Sequence, residues 1–127
     1  MRAKIVAGNW KMNNNKDESK TLINELKNSL KDFSFNNTRV LVAPTFVNLS
    51  SLVKRANKSK IEVVAQNMHQ AKNGAFTGEI SADMLKNIGI KSVILGHSER
   101  RSYFGETDAI LSEKVNTTLK NNMEAIF

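Results

Sequence analysis

Four short apolar runs, at residues 3–7, 39–43, 61–65 and 92–95, recur along the chain, each leading on to a stretch with helical spacing. Their separation is close to the ~30 residues of one strand–helix unit. The runs are rich in Ile, Val, Leu and Ala and lack strict polar–apolar alternation, the pattern of parallel strands buried on both faces. A fifth run begins at 125–127. Right-handed crossovers make neighbours of successive strands, so the expected class is α/β with a parallel sheet. A closed (β/α)8 barrel takes about 250 residues, roughly twice the 127 present. Periodicity alone therefore leaves both a half-barrel and a small open sheet standing.

Local signals set the elements between the runs. Asn15-Lys16-Asp17-Glu18 has the form of a capping box, with its acidic residues set against the helix dipole. Behind it Leu22, Ile23, Leu26, Leu30 and Phe33 recur at helical spacing and are expected on one buried face. Ser34-Phe35-Asn36-Asn37-Thr38 reads as a turn. Pro44, the single proline, ends the second run, and Phe46, Leu49, Leu52, Val53 and Ala56 mark the next helix. Residues 66–79 form a polar, Gly- and Asn-containing segment too long for a routine connection. Ser81 is placed to cap a short helix running through Ile88, with Gly89 just past its end. Thr107 opens a helix expected to be buried along Ile110, Leu111, Val115 and Leu119.

Two of the strands end in unusual chemistry. Val93-Ile94-Leu95-Gly96 is followed by His97-Ser98-Glu99-Arg100-Arg101, so an apolar run delivers an imidazole, a hydroxyl, a carboxylate and two guanidinium groups. Lys4-Ile5-Val6-Ala7 is followed by Gly8-Asn9-Trp10-Lys11. Parallel α/β proteins build their active sites at this end of the strands. A lone His is more often a hydrogen-bonded loop residue, and a lone Lys a surface cation. Two strands ending alike weaken that plain reading.

These segments carry a resemblance. Gly8-Asn9-Trp10-Lys11-Met12-Asn13, Ala65-Gln66-Asn67, Gly74-Ala75-Phe76-Thr77-Gly78-Glu79-Ile80-Ser81 and Ile94-Leu95-Gly96-His97-Ser98-Glu99-Arg100-Arg101 resemble the triosephosphate isomerase family, in its order and at its spacing. The resemblance implies the TIM (β/α)8 barrel family, here about the first four βα units plus the start of the fifth strand, with 1–127 a single partial domain. It implies a triose-phosphate isomerase that interconverts dihydroxyacetone phosphate and D-glyceraldehyde 3-phosphate by enediolate proton transfer, with no cofactor.

His97 and Lys11 become the catalytic residues by that resemblance. His97 is the electrophile that polarises the substrate carbonyl, a role this family itself exemplifies with a neutral imidazole. Lys11 and Asn9 bind substrate, the lysine as a point charge suited to a phosphate or an enediolate oxygen. Ser98 and Glu99 support them, and Glu99 is not the general base. Trp10 is expected to pack rather than touch substrate. Arg100, Arg101 and Glu106 read most simply as a loop ion-pair cluster. In the family, Phe76 and Thr77 belong to a loop tip that docks on a twin subunit, so they are expected at a homodimer interface. The phosphate grip, the closing lid and the catalytic glutamate lie in the family's second half, so this chain alone is expected to be inactive. The alternative is a non-enzymatic α/β half-barrel that self-associates by its edges and keeps a residual anion site.

Composition narrows the partners. A net charge of +7 would allow a nucleic-acid binder, but the lysines are spread over helix faces and aromatics are only 6% of the chain. No nucleic acid is expected. No apolar run approaches the ~20 residues of a membrane span, and no signal-peptide pattern opens the chain, so neither a membrane nor export is expected. Zero Cys suits a reducing cytoplasm and excludes a thiolate metal site. With two His at unsuited spacing, no metal is expected. The expected partners are a small phosphorylated triose and, in the intact enzyme, a second subunit.

Overall fold

The computed structural model describes residues 2–127. The chain divides into two compact units, one ending at Val64 and the other beginning at Ala65.

The first unit holds a parallel sheet in the order β1 (Lys4–Asn9), β2 (Thr38–Ala43), β3 (Ile61–Val63). The register runs from Lys4 opposite Thr38 to Asn9 opposite Ala43, and Val40 faces Ile61. Helix α1 (Lys16–Leu30) starts at the expected capping box: the Asn15 side chain accepts from the backbone of Asp17 and Glu18, and Glu18 accepts from Asn15 N–H. A 3-10 turn (Phe46–Asn48) leads into α2 (Leu49–Ala56). The core gathers Ile23, Val42, Leu52, Ala56 and Ile61, with Trp10, Leu26, Leu30 and Val63 packed on it. Each large apolar side chain buried there contributes about 1.5–3 kcal/mol. Trp10 packs, as expected.

Two features of this unit depart from the sequence reading. Helix α1 stops at Leu30, so Phe33 falls beyond its buried stripe and is 51% exposed, edge-on to Phe35 at 5.2 Å. Strand β1 extends through Asn9, which ends the strand instead of beginning the loop. The edge position of β1 has a visible cost. Along the strands Val42 and Val64 are buried and Ile94 is half-buried, but Val6 is 61% exposed.

The second unit pairs β4 (Ser92–Ile94) with β5 (Glu124–Ile126) in parallel, and Ala65 forms an isolated parallel bridge to Val93. Helix α3 (Ala82–Asn87) is capped by Ser81 Oγ, which accepts from Met84 N–H. Helix α4 (Ser98–Tyr103) follows β4 directly, and α5 (Asp108–Lys120) is capped by Thr107. Met68, Leu85, Ile90, Val93, Leu95, Leu111 and Met123 are buried. The inner stripe of α5 is Leu111, Lys114 and Thr118, and Leu119 is 58% exposed, contrary to expectation. Lys114 takes an inner position where a carboxylate and an amide bind its ammonium, which an apolar count ignores. Gly96, at φ +73°, joins β4 to His97; a Cβ there would also strike the Phe127 ring at 2.9 Å, so glycine alone fits.

Candidate active site

At the end of β1 the backbone turns sharply. Asn9 Oδ1 accepts from Lys11 N–H at 2.9 Å, an Asx turn that places Lys11 at φ +53°. A left-handed residue other than glycine costs about 1–3 kcal/mol and persists only where its surroundings enforce it. Here they do. Trp10 N–H donates to Ala43 O, and Asn13 Nδ2 donates to Trp10 O. Buried Asn48 donates to Asn14 O at 3.1 Å, to Ser19 Oγ at 3.2 Å and to Thr45 Oγ1 at 3.1 Å. The loop is thereby tied to α1 and to the end of β2, while the Lys11 side chain remains exposed.

At the end of β4, His97 is the N-cap of α4. Its Nδ1 accepts from Glu99 N–H at 3.1 Å. A ring nitrogen that accepts from an amide carries no proton, so in the neutral ring Nε2–H is the donor. A Glu99 carboxylate oxygen lies 3.7 Å from the same Nδ1, too far for a hydrogen bond, and the amide sets the tautomer. The imidazole side chain is part-exposed. Asn9 and Lys11 thus sit together at the end of β1 and its turn, and His97, Ser98 and Glu99 at the cap and first turn of α4.

The loop of residues 66–79 is ordered by its own contacts and by α5, where Thr117 Oγ1 donates to Gln70 O at 2.9 Å. His69 N–H donates to Ile80 O at 2.8 Å, and Glu79 N–H to Phe76 O at 3.0 Å. The Phe76 ring rests on the His69 ring at 4.3 Å, and a Glu79 oxygen is 3.5 Å from His69 Nδ1. Even so Phe76 stays 47% exposed and Thr77 is exposed.

The expected cluster of Arg100, Arg101 and Glu106 is corrected in part. Arg100 Nε is 3.1 Å from Glu106 Oε1, but Arg101 turns away to Asp108 at 2.7 Å. Its place beside Glu106 is taken by Lys114, which also donates to Asn67 Oδ1 at 2.9 Å. Sequence reasoning missed Lys114 because it sought apolar residues on that face. A lysine three residues after Leu111 and four before Thr118 was the available signal. Among the described residues, no three His, Cys, Asp or Glu side chains are grouped to hold a metal ion, and no helix is long and apolar enough to cross a membrane.

The family model described as Triosephosphate isomerase matches residues 4–127. Triosephosphate isomerase from Flavobacterium psychrophilum is 61% identical over 127 residues, all of this chain and 50% of that protein. That from Flavobacterium johnsoniae is 54% identical over the same span and share. The Clostridium acetobutylicum protein of the same name is 51% identical over 126 residues, 99% of this chain and 50% of its own length. The chain spans about half the length of the curated relatives it matches. Its parallel strands alternate with helices as in part of a TIM barrel, and the chain belongs to the triosephosphate isomerase family.

Proposed function

We propose that this chain supplies the electrophile and the cationic substrate grip of a triose-phosphate isomerase, which interconverts dihydroxyacetone phosphate and D-glyceraldehyde 3-phosphate. One observation carries the reading: His97 Nδ1 is occupied by an amide, which leaves Nε2–H as a fixed donor at a strand end. A donor held there stabilises negative charge as it develops on a carbonyl oxygen, with little reorganisation. Lys11, aided by Asn9, holds the anionic substrate and balances the enediolate. Ser98 and Glu99 keep this strand end in shape. The base that moves the proton between adjacent carbons is a glutamate of the family's second half, outside these residues, and no cofactor takes part. The 127-residue chain by itself is therefore inactive. Phe76 and Thr77 dock on a second subunit, and the intact enzyme is a cytoplasmic homodimer.

The test is a fusion of residues 1–127 to the second half of the Flavobacterium psychrophilum relative, assayed by coupled turnover. The fusion is expected to turn over both trioses and the unfused chain neither. A fusion that folds but is no faster than its own His97→Gln variant would refute the reading. The exposure of Val6 on β1 favours a second reading, a self-associating half-barrel with a residual anion site at Lys11. Turnover by the fusion rejects a purely non-enzymatic role, and association of the unfused chain is read from its sedimenting mass.

A further inference from the structure

The tautomer of His97 depends on Glu99 N–H, an amide in the first turn of α4. That helix has six residues and buries none of them. A helix so short has little stability of its own, and no buried side chain of its own holds it. Charged side chains brace it. Arg100 Nε lies 3.1 Å from Glu106 Oε1, an ion pair not aligned as a hydrogen bond, and its guanidinium lies 4.9 Å over Phe104. The backbone closes the same loop: Arg100 O accepts from Phe104 N–H at 3.1 Å and from Glu106 N–H at 3.3 Å. The other Glu106 oxygen pairs with Lys114, and both of those side chains are only 4% exposed. Lys114 is itself held by Asn67. Another ion pair of α4, Arg101 with Asp108, is a surface contact with its carboxylate 92% exposed, and such pairs contribute little.

We propose that Glu106, acting through Arg100, is a positioning residue for His97. The buried carboxylate fixes α4, α4 presents the Glu99 amide, and the amide sets which imidazole nitrogen faces a ligand. The inference rests on reading His97 as the electrophile, but its structural half can be tested without turnover. Arg100→Met cuts the tether and leaves the buried Glu106–Lys114 pair intact, so the fold is kept. Glu106→Gln cuts the same tether at its other end. Both are measured on the fusion and on the chain by itself, by hydrogen exchange at the Glu99 amide and by nitrogen-15 signals of the His97 ring.

The expected result is exchange at Glu99 faster by about tenfold or more, with loss of the unprotonated Nδ1 signal. In the fusion kcat falls by about tenfold or more while KM changes little, as for a displaced catalytic group. The double variant should do little more than the stronger single one, because both cut one tether. If Glu99 exchange and the ring signals stay as in the parent, and only global stability falls, the proposal is wrong and the cluster is a stability element. If Glu106→Gln does not fold, Arg100→Met decides the matter. Altered ring signals in a fusion whose parent is inactive would keep the positioning role and reject the catalytic one.

Discussion

The loops after β1 and β4 both end a parallel strand with a charged or titratable side chain, yet each is held by different means. The β1 loop is fixed by neutral hydrogen bonds: the Asn9 turn, Asn13 on Trp10, and Asn48 across three partners. Its lysine sits in a strained backbone conformation and its strand is exposed along an edge. The β4 loop leaves a strained conformation only to Gly96 and is braced from behind by buried charge. The difference matches the roles proposed above for the two side chains. A flexible ammonium tolerates error in its own position, so it suffices to fix the backbone. An imidazole donating along one direction needs its ring and tautomer fixed, which requires a rigid element behind it.

The sharpest way to break this contrast is catalytic. In the fusion, His97→Gln should lower kcat by about 10²–10³-fold with a modest change in KM, the loss typical of a preorganised donor. Lys11→Met should damage both, because a ground-state phosphate and an enediolate both feel its charge. If steady-state kinetics gave the two variants the same pattern, directional and charge-based roles would not be separable here.

What could be read from sequence was local, or was carried by motif. The capping box at Asn15 and the caps at Ser81 and Thr107 stand as expected, because each involves residues two or three apart. The βα alternation was legible for the same reason. Several of the misses turn on distant partners. Phe33 continues the helical spacing but lies past the end of α1, and Leu119 lies on a face that α5 turns outward. Lys114 finds its carboxylate across a loop and its amide 47 residues away. Asn48, an unremarked amide, proves to be the buried tie of the β1 loop. The left-handed Lys11 had no local signal either, since lysine is not a residue that favours it.

The next largest effect concerns stability. Lys114→Ala leaves Glu106 buried with only the misaligned Arg100, and breaking a buried pair in this way costs about 3–5 kcal/mol. Asn48→Ala removes two amide N–H donors shared among three neutral acceptors and should cost about 1–3 kcal/mol. Urea denaturation of the fusion compares them. Equal losses would mean that buried charge braces the β4 loop no more strongly than amides brace the β1 loop. Smaller still is the strain at Lys11. Lys11→Gly relieves a left-handed conformation worth about 1–2 kcal/mol and loses part of that to chain entropy, about 0.5–1 kcal/mol. A net gain below about 1 kcal/mol is expected, together with loss of the substrate grip. A destabilised Lys11→Gly protein would show that the ammonium, not the Asn9 turn, holds this loop.

The smallest effect on stability is expected at the β1 edge, where the two regions differ most in exposure. Val6 is 61% exposed, so Val6→Lys removes little burial from the 127-residue chain, and exposed substitutions usually change stability by less than about 0.5 kcal/mol. Association is another matter. An edge strand offers unpaired backbone groups beside apolar side chains, and a lysine there is a common way to stop another strand from adding. The unfolding midpoint should therefore stay put while the sedimenting mass at micromolar concentration drops toward that of a monomer. Charge added at an exposed site elsewhere, such as Ser50→Lys on α2, should leave the mass unchanged. If Val6→Lys associates as strongly as the parent, then β1 is not the adhesive edge. The exposure of Val6 would then be harmless, and the reading of this chain as a self-associating half-barrel would lose the observation that favours it.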